Sequence, residues 1–423
     1  MTTPHHTTSN HTTNDYDTNR QTTDRATVTS MTTHIKERAK AHLSEMKQLR
    51  RTIHQNPELA HEEFKTQALV RSVLDDLGIP NQPLAGTGVV GLIEGGHPGK
   101  TVLLRADMDA LPVDEEADVP YISKVAHKMH ACGHDGHTAG LLGAAMILND
   151  LKDQLHGNVK LMFQPAEETD GGAKPMIDEG ILENPTVSAA FGLHLAGDKN
   201  KGELWVKHGA MMGAPDEFEV TITGIGGHAA HPHDSIDPIS LAAQFITEIQ
   251  YMVARRFDPV KPIVVSITKV HAGDGLNVIP ETCEIGGTLR TLYPETREKA
   301  RQLIEKTLAS ICALNDASYT FNFMPSYPPV INDNDMTDVV VRALSDYAGE
   351  ENVHEHIFPS LGAEDFAYLC EAVPSSYYNV GIKEPDGAPA IHHHPKFAWN
   401  DDVLEVTSAT LAQIAYQYLE ENS

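Results

Sequence analysis

The fold class predicted by this sequence is an α/β layered domain interrupted by a small α+β unit, and three observations predict it. Helical and strand-like segments alternate from about residue 34 to 213, the order that builds a sheet with helices on its faces. From Ala214 the texture changes to polar–apolar alternation, a Gly-rich loop and long amphipathic stretches. After about residue 327 the first texture returns, so the α/β domain is expected in two pieces, 34–213 and 328–423, split by an insert at 214–327. Residues 1–33 carry mainly Thr, His, Asn and Asp with almost no large apolar side chain, so disorder is expected there and His5, His6 and His11 read as solvated.

Each element has its own signal. Ala39, Leu43, Met46, Leu49 and Ile53 recur at helical spacing until Asn56-Pro57 stops the pattern. A second helix is expected from about Leu59 to Leu77, closed by Gly78. Strands are expected at Gly88–Ile93 and Thr101–Leu104, separated by a Gly-Gly-His-Pro-Gly turn signal. Helix at His137–Leu151, strand at Val159–Phe163, helix near Lys174–Glu179 and strand at Ser188–Leu193 continue the alternation. In the insert, Glu217–Ile222, Pro238–Arg256, Ile263–Val270, Cys283–Leu289 and Pro294–Leu314 suggest an α+β sandwich with helices on one face.

The chain has 423 residues with 59 acidic against 32 basic side chains, a formal charge of -27. That charge repels phosphate backbones and anionic lipid surfaces, so neither nucleic acid nor membrane is an expected partner. Four scattered cysteines do not make a disulfide framework in a chain of this size and suit a reducing, cytoplasmic setting. No run of eighteen apolar residues and no secretory signal pattern is visible.

Chemistry concentrates in four places. Met129 to Thr138 packs Cys132, three imidazoles (His130, His134, His137) and Asp135 between a strand region and a helix, the junction where α/β domains build sites. Cys132-Gly133-His134 lets a thiolate and an imidazole converge on one ion, with Gly supplying the bend. Glu167 and Glu168 follow an apolar strand; in extended backbone adjacent side chains diverge, so one carboxylate can meet a metal and the other a substrate. His194 sits among apolar residues at the expected end of the next strand, and His392, His393 and His394 lie near the C-terminus, with the register among the three open. Taken singly, these are a chance cluster, an exposed acidic pair and a core histidine. Together they form a donor set on one domain.

Their order and spelling closely resemble the peptidase M20 group of aminoacylase-like amidohydrolases, in particular the hippurate hydrolase, N-acyl-amino-acid amidohydrolase and auxin-conjugate (IAA-amino acid) hydrolase subgroup. The resemblance runs from about Arg50 to the C-terminus. It is carried by Arg51-Thr52-Ile53-His54-Gln55-Asn56-Pro57-Glu58-Leu59, Arg105-Ala106-Asp107-Met108-Asp109-Ala110-Leu111-Pro112, Cys132-Gly133-His134, Gln164-Pro165-Ala166-Glu167-Glu168, Gly226-Gly227-His228-Ala229-Ala230, Asn277-Val278-Ile279-Pro280 and His393-His394-Pro395.

The resemblance implies a zinc-peptidase-like catalytic domain with an inserted dimerisation domain, hence a homodimer or a larger assembly such as a tetramer. It implies two divalent metal ions, Zn²⁺ or Mn²⁺ with Co²⁺ or Ni²⁺ as alternatives, held by Cys132, His134, Glu168, His194 and His393. Glu167 becomes the general base, His228 the stabiliser of the oxyanion, often from a partner subunit, and Asn277 and Arg290 the holders of substrate carboxylate or carbonyl. Where the wider family has a metal-binding His, this chain has Asp107, so Asp107 and Asp109 are expected to orient ligands. Gly362-Ala363-Glu364-Asp365-Phe366 matches a family loop lining the site. The implied reaction is hydrolysis of a small N-acyl amino acid to a carboxylic acid and a free amino acid. The alternatives are a dipeptidase on the same scaffold, a non-catalytic metal-binding homologue, and Cys132 as a nucleophile, which a thiolate held by two cations performs poorly.

Overall fold

In a computed structural model, which describes residues 15–423, helix α1 (Asp15–Gln55) opens the chain and α2 (Phe64–Asp76) follows. Strands β1 (Asn81–Leu84), β2 (Gly88–Glu94) and β3 (His97–Asp107) lead to helix α3 (His134–Asp150), then β4 (His156–Gln164), α4 (Ala173–Asp178), β5 (Val187–Asn200), β6 (Leu204–Val206) and β7 (Gly209–Met212). The middle of the chain gives β8 (Ala214–Thr223), β9 (Gly227–His228), α5 (Pro238–Arg256), β10 (Ile263–His271), β11 (Val278–Ile279), β12 (Thr282–Thr291), α6 (Pro294–Leu314) and β13 (Ser318–Met324). The chain then closes with β14 (Val330–Asn332), α7 (Asn334–Ala348), β15 (Val353–Glu355), α8 (Ala367–Ala372), β16 (Ser375–Lys383) and α9 (Leu404–Glu421).

Eight strands form one mixed sheet in the order β1-β2-β4-β3-β5-β16-β6-β15. Its centre, β4-β3-β5-β16, is parallel, and so is buried on both faces. Helix α3 packs against α1 and α9 on one side of it. The approach is close because α3 presents glycines there: a Cβ on Gly143 would lie 2.0 Å from Met46 Sδ, and one on Gly140 2.8 Å from Thr407 Oγ1.

The second sheet, β10-β12-β8-β13, is antiparallel throughout. Alternation along β8 sends Phe218, Val220 and Ile222 into a separate apolar core shared with Phe245 and Ile249 of α5 and Ile304 and Leu308 of α6. Both helices therefore cover one face, as the element order predicts.

Several expectations need correction. Disorder was expected to residue 33, yet α1 is helical from Asp15, and Met31, Thr32 and Ile35 are buried. Anchoring of its later turns in the core offsets the nucleation cost that composition alone makes prohibitive. Residues 1–14, with His5, His6 and His11, lie outside the described residues. Helix α2 starts at Phe64 rather than Leu59, because the Glu58 carboxylate accepts the N–H groups of Lys65 and Thr66 and so caps the helix from outside it. Helix α3 begins at His134, three residues before the expected start. Strand β5 does not end at His194 but continues to Asn200, since β16 pairs alongside it. Among the described residues, no helix is long and apolar enough to cross a membrane.

Candidate metal centre and active site

The C-terminal ends of the central parallel strands meet at one place, where open α/β sheets characteristically bind ligands. Strand β3 delivers Asp107 and, two residues on, Asp109. The Asp109 carboxylate accepts the backbone N–H groups of Glu167 and Glu168, both at 3.0 Å. The two glutamates are not in extended backbone, as the sequence suggested; they lie in a turn entered through Ala166 at φ 58°. This turn, rather than strand alternation, separates their carboxyl groups.

Cys132 ends the loop before α3. Gly133, at φ 100°, makes the bend, and His134 is the first residue of the helix. The His134 Nδ1 lies 2.9 Å from the Asp109 carbonyl, and the His194 Nδ1 lies 2.7 Å from the Leu195 carbonyl. A carbonyl only accepts, so each Nδ1 carries a proton, which leaves Nε2 as the nitrogen that faces the site. The His194 Nε2 is 3.4 Å from Cys132 Sγ. The His134 Nε2 is buried with no hydrogen-bond partner, and so is Glu168 Oε1, 3.8 Å away. His393, held at φ 60° with its N–H on the Ala131 carbonyl, brings Nε2 to 3.2 Å from Glu168 Oε1 without a well-formed hydrogen bond. Of the three consecutive histidines, His393 is the one that faces Glu168. His392 packs against His194 and Phe397, and His394 turns back to its own chain at Lys396.

Ligand atoms of Cys132, His134 and His194 lie within 4.8 Å of one another, as do those of Cys132, Glu168 and His393. Cys132 is common to both triplets. Buried lone pairs with no partner are costly, and this donor set fits divalent cations. A third triplet, Asp107, His134 and His137, fits less well. The His137 Nδ1 is on Asp107 Oδ1 at 2.6 Å, its Nε2 accepts the Leu195 N–H at 3.0 Å, and Asp107 Oδ2 takes Arg105 at 2.7 Å. Asp107 thus orients His137 and Arg105, while it is Asp109 whose carbonyl meets the His134 ring. Burial pushes the Cys132 thiol well above its ordinary range, and Glu168 adds to the effect. Such a thiol ionises when a cation arrives, not before.

Glu167 is 8% exposed. Burial, together with the charges of Glu364, Asp365 and Glu168, raises its carboxyl well above the ordinary range. The Tyr327 hydroxyl shares its one proton between the Glu167 carbonyl at 2.7 Å and that of Thr169 at 2.9 Å. Behind Glu167, Arg105 is the hub of a buried cluster: Nε on Gln164 Oε1 at 2.8 Å, one Nη on Asp107, and the other on Glu364 at 2.8 Å and Asp365 at 2.9 Å. The Gly362–Phe366 segment, whose role is not legible in the sequence, supplies two of these partners. Tyr327 had no sequence signal at all.

A cavity of about 940 Å³ opens over this floor, lined among others by Cys132, Glu167, His194, His393 and Arg290. Arg290 reaches it from β12. His228 and Asn277 do not line it: both are exposed, on the small β9–β11 ribbon and the loop before β11, where the Asn277 carbonyl accepts the Ala229 N–H at 3.0 Å.

Beneath the centre, His54 is wedged between Asp135 (Nδ1 to Oδ2, 2.8 Å) and Glu115 (Nε2 to Oε1, 3.0 Å), with Arg50 also on Asp135 at 2.9 Å. Burial works against its charge, but Asp135 and Glu115 raise its pKa to about 9. This folded value lies above the ordinary 6.5, so the stabilisation is complete below pH 6.5 and is lost as pH rises through 9. The shift corresponds to about 3 kcal/mol. Thermal melts between pH 6 and 10 should show a decline in the parent that is flattened in His54→Gln; parallel curves would exclude the linkage.

The model of peptidase family M20/M25/M40 matches residues 103–417. The chain is 41% identical over 377 residues to thermostable carboxypeptidase 2 of Saccharolobus solfataricus, covering 88% of this chain and 94% of that one. It is 41% identical over 381 residues to IAA-amino acid hydrolase ILR1-like 2 of Arabidopsis thaliana, covering 89% and 86%. Among solved structures it resembles the YXEP protein of Bacillus subtilis, described as a dinuclear metal binding peptidase from the M20 family, with TM-score 0.79, 35% identity and coverage of 90% and 99%.

Proposed function

Because the chain belongs to peptidase family M20/M25/M40, we propose that it is a metal-dependent amidohydrolase that cleaves N-acyl amino acids to a carboxylic acid and a free amino acid. The observation that carries this reading is the convergence of His134 Nε2, buried with no hydrogen-bond partner, and Glu168 Oε1, met by His393 at 3.2 Å, on Cys132 and His194 beside the raised carboxyl of Glu167. Cys132, His134, Glu168, His194 and His393 would hold two divalent ions, Zn²⁺ or Mn²⁺, with Cys132 shared. When bound, such ions supply Lewis acidity toward the scissile carbonyl and acidify water.

The protein's own groups do the rest. Glu167 takes a proton from the attacking water as the new C–O bond forms, and returns it to the amine as the C–N bond breaks. Arg290, on the cavity wall, holds the substrate carboxylate through its guanidinium fork. His228 and Asn277 are exposed and outside the cavity of one chain, so in this reading a second copy supplies them. The unit from Ala214 to Met324 then serves as the dimerisation domain. A cytoplasmic location agrees with four unpaired cysteines.

Two relatives are named thermostable carboxypeptidases. An N-acyl amino acid differs from a peptide only in its acyl part, so peptide cleavage is the second reading. Protein stripped of metal should be inactive and should regain turnover of N-acetyl, N-benzoyl or indole-acetyl amino acids on reloading with Mn²⁺ or Zn²⁺. Faster turnover of dipeptides or longer peptides would favour the second reading, and no turnover with any reloaded ion would remove both.

A further inference from the structure

Three consecutive backbone N–H groups of the catalytic turn end on carboxylates from other parts of the chain. Asp109 holds those of Glu167 and Glu168. The third, of Ala166, donates to Glu63 Oε1 at 2.9 Å. Glu63 stands immediately before α2, with no exposed surface. Its other oxygen accepts the Thr87 hydroxyl at 2.5 Å. Glu63 makes no side-chain cap to α2, a task that falls to Glu58.

A fully buried carboxylate is costly and is rarely a gain for stability over an apolar side chain of the same size. What Glu63 holds is also costly. Ala166 sits in the left-handed region at φ 58°, which disfavours a residue with a Cβ by about 1–2 kcal/mol. Strained backbone of this kind persists only where its surroundings over-determine it, and it clusters at functional sites. Release of the Ala166 N–H would leave residues 167–169 held by Asp109 and Tyr327 but free the entry residue to leave the left-handed region, which shifts the aim of the Glu167 and Glu168 carboxyl groups.

We propose that Glu63 is a positioning residue for the hydrolytic reaction: through the Ala166 N–H it locks the strained turn that aims Glu167 and Glu168. Thr87 fixes the rotamer of Glu63, so the lock runs from the start of α2, through the loop before β2, to the turn after β4. Glu63 touches neither substrate nor the metal ligand atoms. Its contribution is to geometry, and it rests on the hydrolytic reading above.

The test compares Glu63→Ala, Glu63→Gln and the parent. Gln keeps an oxygen for the Ala166 N–H and offers its amide N–H to Thr87 Oγ, whereas Ala keeps neither. In Glu63→Ala, kcat per bound metal should fall about tenfold to a hundredfold, as expected for misplacement of a reacting group, with KM unchanged; some loss of metal accompanies it because Glu168 shares the turn. Gln should return kcat to within about threefold of the parent.

Independently of turnover, hydrogen exchange in metal-free protein should speed up by at least about tenfold in the 165–169 segment of the Ala variant and not in α3. Parent-like kcat in Glu63→Ala, a loss explained wholly by lost metal, or unchanged exchange at 165–169 would overturn the proposal. Should Glu63→Ala fail to fold, Glu63→Met, which fills the volume without an acceptor, carries the same expectations. A parent without turnover would instead remove the hydrolytic reading and leave the exchange result to judge the lock alone.

Discussion

Glu167→Gln is expected to lower kcat by about a thousandfold, within the range that general acid–base groups contribute, while KM and bound metal stay within about twofold of the parent. The substitution is isosteric. The backbone of residue 167 stays pinned by Asp109 and Tyr327, and the neighbouring Glu168 is untouched. What disappears is the ability to take a proton from water and give it to the leaving amine. Burial and three neighbouring carboxylates raise the Glu167 carboxyl above its ordinary range in the metal-free protein. Metal analysis alongside steady-state kinetics checks the expectation. Full activity would make another group the base, and parallel loss of metal would show that Glu167 acts as a ligand.

Arg105→Met should destabilise the fold by about 3–5 kcal/mol, the cost of removing one partner from a buried ionic cluster. Arg105 is 1% exposed and is the shared cation of Asp107, Glu364 and Asp365. Methionine fills much of the volume but leaves these carboxylates facing one another. Even with Arg105 present, burial raises Asp365 to about 7, against the lowering by Arg105 itself. Without the guanidinium, proton uptake by the cluster would become part of folding, so the loss should be larger at pH 8 than at pH 6. Urea unfolding at both values measures it. A change under about 1 kcal/mol would mean that the cluster contributes little net stability.

The elements readable from the chain were those with a strong period or clear punctuation. Helices α5 and α6 have the expected bounds, Pro238–Arg256 and Pro294–Leu314, because each opens on a proline at its first turn and carries a steady apolar stripe. The sequence does not mark the first turn of α3, because His134, Asp135 and His137 are polar yet buried; their burial comes from the site and leaves no hydrophobic signal. After residue 327 only the general texture was legible. Strand β16 there is central and parallel to β5, a pairing between residues almost two hundred positions apart that no local window contains.

The site divides along the same line. The residues that meet at the centre, Cys132, His134, Glu167, Glu168, His194 and the histidine run at 392–394, were visible because thiol, imidazole and carboxylate chemistry is written in residue type. Side-chain direction is not. Which of three adjacent histidines faces Glu168, which nitrogen of His134 faces the site, and why His137 is spent on Asp107 and Leu195 all follow from contacts with atoms distant in sequence; the His194 ring alone is set by its own neighbour, the Leu195 carbonyl. The same holds for Glu63 and Tyr327, ordinary residues in the chain that matter through the backbone groups they meet. Residue type and spacing therefore carried the chemistry and most local structure. Long-range packing decided the facing of His393, the ring orientation of His134 and the hold on the strained turn at Ala166, because each depends on contacts that form only when the central strands come together.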